Sequence, residues 1–276
     1  MSFSINTNGA ALVALQNLTQ TSMDLNDTMS HINTGLAVAS AKDNAAVYAI
    51  AQNLRSNVAG LTAVKQSLDT AASVADVAMA AGQAVADLLT QMKAKAVAAK
   101  DPGANATTKT ALNNDFIQLR DQITTIVSNA SFNGVNVVKN GGAKIVAITD
   151  DTGSSTITVA AQDLSLTGAN LAGITAATTI TTSALASAAV TNITTAITNV
   201  NAALSKLGSG ASRIAMQKSF VAKLSDALTT GIGNLVDANM AAESAKLQSL
   251  QVKQQLGLQA LSIANQAPSA VMSLFR

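Results

Sequence analysis

Residues 33–47, NTGLAVASAKDNAAV, separate two long stretches whose apolar residues recur at helical spacing. Gly35 can adopt backbone conformations that other residues avoid, and a polar cluster, Lys42-Asp43-Asn44, stands just before the second stretch. Asp and Asn are favoured at helix N-termini because their side-chain oxygens accept hydrogen bonds from backbone N–H groups that the helix leaves unpaired. The sequence therefore predicts a non-coiled connector over 33–46, with the polar cluster opening the next helix.

The apolar residues on the N-terminal side of the connector follow coiled-coil spacing. They alternate at intervals of four and three residues, as expected when two helices pack along a shared seam. Seven of the eight positions in this stripe are apolar, and Ser22 is the exception; the positions are Ala11, Leu15, Leu18, Ser22, Leu25, Met29, Ile32 and Leu36. Three polar residues precede it and are candidate N-caps for a first helix: Asn6, Thr7 and Asn8.

Three further helices are predicted from the same kind of periodicity. A second stripe begins at Val47 and predicts a helix over about 44–100, which ends before Pro102 and Gly103. A third helix is predicted over about 107–129, from Leu112, Phe116, Leu119, Ile123 and Ile126. A last helix is predicted over roughly 240–265, from Leu247, Leu250, Leu258 and Leu261.

The middle of the chain has a different character. In residues 144–159, KIVAITDDTGSSTITV, β-branched residues flank a DDTGSS turn, which predicts a β-hairpin. Residues 164–205 contain no Asp, Glu, Lys or Arg. Such a segment is a poor candidate for a soluble helix, and it predicts a small β-element or an exposed tip. A C-terminal apolar stripe begins inside it at Ile197 and continues to Leu235.

The two ends of the chain each display an apolar seam with no partner nearby in the sequence, so the simplest arrangement pairs them. The predicted fold is mainly α: a long antiparallel coiled coil or helical bundle formed by the N- and C-terminal helices, with a small β-rich central region. The composition agrees, because 48% of the residues are hydrophobic while only 2% are aromatic. Small apolar side chains let helices approach closely and pack in layers.

Several classes of function are excluded by composition. The net charge of +2, the single Tyr and the lack of Trp do not indicate a nucleic-acid-binding surface. Because there is no Cys and His31 is the only histidine, thiolate sites, multi-histidine metal sites and His-based catalytic triads cannot be built. We therefore expect no cofactor and no enzymatic activity. We also expect neither a secretory signal peptide nor an apolar run of about 18 residues that would enter a membrane.

Four separated motifs closely resemble bacterial flagellins and occur in the order found in that family. They are SINTNGAALVALQNL at 4–18, TGLAVASAKDNAAV at 34–47, SFNG at 131–134 and QQLGLQALSIANQAPSAVMSLFR at 254–276. The resemblance covers both ends of the chain and leaves the middle unmatched. It implies a structural subunit that self-assembles into the extracellular flagellar filament for swimming motility. It also implies export by the flagellar type III apparatus without a cleaved leader.

The resemblance further implies a division of the chain into layers. The paired terminal helices, 1–35 and 240–276, would form the filament core, and 36–46 would be a spoke that leads outward from it. Residues 47–140 and 195–239 would form a surrounding helical rod layer, and 141–194 a variable β-rich outer region.

The residues expected to drive assembly are the apolar positions of the terminal seams. They are Leu15, Leu18, Leu25, Met29, Ile32, Leu36, Leu247, Leu250, Leu258 and Leu261, and the connector contributes Gly35, Lys42, Asp43 and Asn44. The implied partners are other copies of the chain, a flagellar export chaperone, the filament cap and hook-junction proteins, but neither nucleic acid nor a membrane. Two alternatives stay open at this point: a hook–filament junction protein, and a secreted adhesin built on a helical rod.

Overall fold

A computed structural model describes residues 7–166 and 168–272. These residues form the helices α1 (Gly9–Thr34), α2 (Ala45–Lys100), α3 (Ala106–Asn129), α4 (Ser183–Val236) and α5 (Met240–Met272), the strands β1 (Ile145–Ile148) and β2 (Thr156–Val159), and a short 3-10 turn at Ala169–Leu171. The predicted mainly-α fold with one small β-hairpin is therefore confirmed. The chain divides into two compact units: unit 1 comprises 1–56 and 227–276, and unit 2 comprises 57–226.

Unit 1 is built on the pairing of α1 with α5. Near the start of α1, the Asn8 side-chain amide donates a hydrogen bond of 2.7 Å to the carbonyl of Ala264, late in α5. Near the end of α1, His31 Nδ1 lies 3.4 Å from Oε1 of Glu243, in the first turn of α5. The two helices are therefore antiparallel, and the prediction that the two ends pair with each other is confirmed.

The N-terminus of α1 is capped by one of the three predicted candidates. The Asn8 side-chain oxygen accepts a hydrogen bond of 3.1 Å from the backbone N–H of Ala11, which satisfies one donor that the first turn leaves unpaired. Thr7 lies outside the helix, and Asn6 lies outside the described residues. Since Asn8 also bonds to Ala264, one side chain both starts α1 and ties it to α5.

Unit 2 contains a closely packed apolar core. The second apolar stripe of the sequence is its main component, because α2 buries Leu61, Val64, Leu68, Ala71, Ala75, Ala78, Val85, Leu89, Met92 and Ala96. The other helices contribute Phe116 and Ile123 from α3 and Ile193, Val200 and Leu207 from α4, all fully buried. A core of this kind stabilises unit 2 through apolar area removed from water.

Helix α2 is long and apolar enough, by length and composition, to cross a membrane. The expectation that the chain contains no such segment therefore needs correction. The apolar residues of the α2 stripe are buried in the core of unit 2 described above.

The prediction for residues 164–205 was wrong over 183–205, which are helical and belong to α4. Alanines and β-branched residues are buried at helical spacing here: Ala186, Ala189, Ile193, Ala196, Val200 and Ala203. The threonine hydroxyls between them form hydrogen bonds within the helix, each to the backbone carbonyl four residues earlier. This holds for Thr191, Thr194, Thr195 and Thr198. Burial of one face therefore stabilises a helix that carries no charge. The predicted C-terminal stripe ends as expected, because α4 stops at Val236.

The predicted hairpin is present and lies within unit 2. Strands β1 and β2 are antiparallel, with Ile145 opposite Val159 and Ile148 opposite Thr156. In the turn, hydrogen bonds from the Thr152 hydroxyl and from the Ser155 N–H hold the pKa of Asp150 below its usual value. The hairpin is attached to α2, because the Ile148 N–H donates a hydrogen bond of 3.1 Å to Ser67 Oγ.

The contact of β2 with α4 depends on a glycine, and it yields a prediction. A Cβ on Gly210 would lie 2.6 Å from Val159 Cγ2, whereas a Cβ on Gly208, on the same helix, would lie 4.0 Å from Met79 Sδ. Gly210→Ala should therefore lower the melting temperature, because overpacking costs about 1–3 kcal/mol. Gly208→Ala should raise it, because alanine stabilises a helix interior by about 1 kcal/mol relative to glycine. Thermal unfolding followed by circular dichroism checks both variants, and equal rises for the two would show that β2 packs loosely on α4.

Candidate functional site

The paired helices of unit 1 bury little of their apolar surface. Thr28 is the one buried residue of α1, and Leu250 is the one buried residue of α5 among those described up to Gln266. Large apolar side chains on both helices stay exposed instead: Leu12, Val13, Leu15, Met23, Met29, Val252, Leu256, Leu258 and Ile263. The exposed fraction reaches 63% for Leu12 and 70% for Ile263. So many exposed apolar side chains on one pair of helices favour a site of interaction with another molecule.

The residues expected to drive assembly fall into three groups by exposure. Leu250 is buried, and six others are half-buried: Leu18, Leu25, Ile32, Leu36, Leu247 and Leu261. Leu15, Met29 and Leu258 are exposed. The seam contact is visible at Leu18, because a Cβ on Gly257 would lie 3.2 Å from Leu18 Cδ1.

Several exposed apolar residues of this surface lie off the predicted stripes. They are Leu12, Val13, Met23, Val252, Leu256 and Ile263. A signal for them was present in the sequence, since residues 7–23 and 254–272 contain no Asp, Glu, Lys or Arg. A helix that meets water on its outer face normally carries charges there. These two segments lack charge on every face, which is unusual for helices that meet water.

The end of α1 is determined by Gly35. This residue has φ 74° and ψ 5°, a left-handed conformation that glycine adopts without steric cost, and its N–H donates a hydrogen bond of 2.9 Å to the His31 carbonyl. Helix α1 therefore extends to Thr34, two residues into the connector that the sequence predicts over 33–46.

The connector is paired with the segment between α4 and α5, which sequence reasoning missed. The N–H groups of Ala37 and Val38 both donate to the Val236 carbonyl, at 2.7 and 3.2 Å. The N–H of Ala238 donates to the Gly35 carbonyl at 2.9 Å. The sequence did contain a signal for the end of this segment. Asn239 follows the apolar stripe that ends at Leu235, and its side-chain oxygen caps α5 by accepting a hydrogen bond from the Ala242 N–H.

The members of the Lys42-Asp43-Asn44 cluster have different roles. Only Asn44 opens α2, because its side-chain oxygen accepts a hydrogen bond of 3.1 Å from the Val47 N–H. Asp43 instead folds the connector back on itself: its carboxylate accepts from the N–H groups of Ser40 and Ala39, at 2.8 and 2.9 Å. The Lys42 side chain is exposed.

The pH dependence of the connector follows from Asp43. The hydrogen bond from the Ser40 N–H, together with that from Ala39, holds the pKa of this carboxyl below its ordinary value of 3.8. A depressed pKa in the folded state means that the turn is fully stabilised above pH 3.8 and loses this contribution as pH falls through the lower, folded value. We expect the amide proton shifts of Ala39 and Ser40 to titrate with a midpoint below 3.8, and Asp43→Asn to abolish the titration. A midpoint at or above 3.8 would contradict this assignment.

His31, the only histidine of the chain, and Glu243 form a contact between α1 and α5. Both side chains are largely covered. Among the described residues, Glu243 Oε2 and Thr28 Oγ1 are buried without a hydrogen-bond partner. The described residues contain no group of three or more His, Asp or Glu side chains that could hold a metal ion.

Comparisons with known proteins agree with this description. The model of the bacterial flagellin N-terminal helical region matches residues 5–143, and that of the bacterial flagellin C-terminal helical region matches residues 190–275. Flagellin FljM of Caulobacter vibrioides is 48% identical, over 99% of this chain and 98% of its own. A flagellin of Brucella melitensis is 36% identical and Flagellin C of Rhizobium meliloti is 32% identical, each over 99% of both chains.

A solved structure is similar as well. The crystal structure of Bacillus cereus flagellin aligns with a TM-score of 0.50 and 26% identity, over 56% of this chain and 88% of that chain. The family models cover both helical ends, and the relatives match along nearly the whole length. The chain therefore belongs to the bacterial flagellins, the structural subunits of the flagellar filament.

Proposed function

We propose that α1 and α5 form the contacts between subunits in the filament core, and that their folding is completed only by assembly. The observation that carries this proposal is the large apolar surface that unit 1 leaves in water. Ordering a residue costs about 1–2 kcal/mol of backbone entropy, whereas burial of apolar surface returns only about 25 cal/mol per Å². A pair of helices that covers one side of each other is therefore marginal, and neighbouring subunits supply the remaining burial.

The contrast between the two units supports this division of labour. Unit 2 has fully buried large side chains on several elements, such as Leu68, Phe116 and Ile193. Unit 1 has no comparable cluster among its described residues, since Ala51, Val236 and Leu250 are its buried apolar residues. We infer that unit 2 is stable in a single subunit and that the pairing of α1 with α5 depends on assembly.

We propose the same layers as the resemblance implies. Residues 1–35 and 240–276 form the filament core, and 36–46 form the spoke, which the Val236–Ala238 segment holds in place through backbone hydrogen bonds. Residues 47–140 belong to the rod layer. On the C-terminal side the rod layer comprises 195–239, and 141–194 form the variable outer region, which includes the first turns of α4 from Ser183.

We propose the same localisation and partners for this flagellin as the resemblance implies. The subunit is exported by the flagellar type III apparatus and polymerises with copies of itself outside the cell. Before export, the exposed apolar residues of α5 need a cover, which supports binding of an export chaperone to this helix. The filament cap and the hook-junction proteins are the proposed partners at the two ends of the polymer. No catalytic role is proposed.

Electron microscopy of the purified chain after seeding or salting out tests the proposed function. We expect long filaments from the intact chain and none from a variant that lacks residues 1–35. Circular dichroism serves as the control, because the truncated variant should keep the helices of unit 2. Filaments from the truncated variant would contradict the role given to α1. An intact chain that forms no filaments would favour the hook–filament junction protein or the adhesin.

A further inference from the structure

The α1–α5 pair carries a groove on one side. The groove has a volume of about 420 Å³ and is lined mainly by small residues of both helices, including Ala10, Ala14, Gly257 and Ala260. Two larger apolar side chains, Val13 and Leu256, form its walls. Both wall residues are more than half exposed. The groove is therefore an open, apolar concavity that one subunit does not fill.

Two exposed leucines, Leu15 and Leu258, lie on the opposite side of the same helix pair, and we call them the Leu15–Leu258 ridge. An α-helix turns by about 100° per residue, so Leu15 projects about 100–160° away from the groove-lining residues of α1, and Leu258 does the same on α5. The two leucines lie at the same position along the helix axes as the groove. This part of the pair extends from the contact of Asn8 with Ala264 to the contact of Leu18 with Gly257. Leu15 is 49% exposed and Leu258 is 55% exposed.

We propose that the groove of one subunit receives the Leu15–Leu258 ridge of a second copy of this chain. This inference rests on the proposed function, because it specifies how the terminal helices make contact. The charge pattern supports the choice of occupant. Residues 7–23 and 254–272 contain no Asp, Glu, Lys or Arg, so the groove offers no opposite charge to a charged partner. The ridge presents an uncharged, apolar surface that matches the groove.

The placement of groove and ridge also explains the form of the assembly. A contact between two different surfaces of one chain is heterologous, and it generates an open helical polymer unless the rotation closes into a ring. A contact between two identical surfaces would stop at a dimer. The groove and the ridge lie on opposite sides of the pair, so each added subunit presents a new groove or a new ridge.

A substitution that fills the groove tests the proposal. Ala260→Leu adds apolar surface and costs little helix propensity. If hydrophobicity alone drove assembly, this substitution would improve polymerisation. Ridge-into-groove packing predicts the opposite, a critical concentration for polymerisation raised tenfold or more. Ala184→Leu makes the same change at an exposed position near the start of α4, in unit 2 and outside the proposed filament core, and should leave the critical concentration nearly unchanged. Normal or improved polymerisation of Ala260→Leu would overturn the proposal.

Crosslinking provides a second test that does not depend on how Ala260→Leu folds. The chain has no Cys, so a double variant, Leu256→Cys with Leu258→Cys, introduces the only thiols. These positions project about 160° apart on α5 and cannot bridge within one helix. Oxidised filaments of the double variant should give a ladder of covalent oligomers, whereas each single variant should give dimers at most. If filaments of the double variant gave no species larger than a dimer, the ridge-into-groove contact would be wrong and the proposed function would stand. If the intact chain did not polymerise at all, the proposed function itself would be wrong.

Discussion

Leu258→Asp is expected to abolish filament formation and to leave unit 2 folded. The side chain is 55% exposed in a single subunit, so the new carboxylate remains in water there. In the filament, the proposed contact would remove it from water without a cationic partner, which costs several kcal/mol for every subunit. Each 1.4 kcal/mol raises the critical concentration about tenfold, so we expect an increase of about a hundredfold or more. Electron microscopy and sedimentation of the polymer measure this effect.

The matched control for this prediction is Leu185→Asp. Leu185 is 45% exposed and lies near the start of α4 in unit 2, so the substitution adds the same charge at a leucine of similar exposure. We expect it to change the critical concentration far less than Leu258→Asp does. Circular dichroism should show equal helix content in unit 2 for both variants. Filaments of normal length from Leu258→Asp would refute the assignment of α5 to the filament core.

Assembly is expected to change the hydrogen exchange of the terminal helices by about a thousandfold or more, which corresponds to about 4 kcal/mol. In dilute monomer, the amides of 9–34 and 240–266 should exchange nearly as fast as those of an unfolded chain, because helices with little burial open readily. In filaments, the same amides should become strongly protected as neighbouring subunits cover both helices. Mass spectrometry of both samples measures the difference.

The amides of 61–96 in α2 are the internal control for this experiment. They belong to the buried core of unit 2, so their exchange should be slow in the monomer and should change little on assembly. Strong protection of α1 and α5 in dilute monomer would show that the helix pair is stable by itself. Folding of the ends and polymerisation would then be separate events, contrary to the proposal.

Helices α2 and α3 and the hairpin were predicted from the sequence to within one or two residues. Each of them is specified locally: α2 and α3 by an apolar stripe that stops at polar or helix-breaking residues, and the hairpin by β-branched residues around a turn. The start of α4 was mispredicted because composition was given more weight than periodicity. The uncharged 183–205 segment is helical because its alanines and β-branched residues are buried in unit 2.

The candidate surface was predicted only in part. The seam residues, such as Leu18 and Leu250, and the pairing of the two ends follow from the heptad pattern of the sequence. The hydrogen bonds between the connector and Val236 join residues about two hundred positions apart, and no local pattern specifies them. The sequence also does not distinguish Leu250, which is buried, from Leu258, which is exposed.

Apart from the start of α4, the sequence by itself therefore determined the helices, their seams and the family of this protein, because periodicity and motifs are properties of neighbouring residues. Only the tertiary structure decided which flank of the α1–α5 pair forms a groove and which forms a ridge. Those features depend on the rotation of each helix about its own axis in the packed pair, and that rotation is set by contacts such as Leu18 with Gly257 and Asn8 with Ala264.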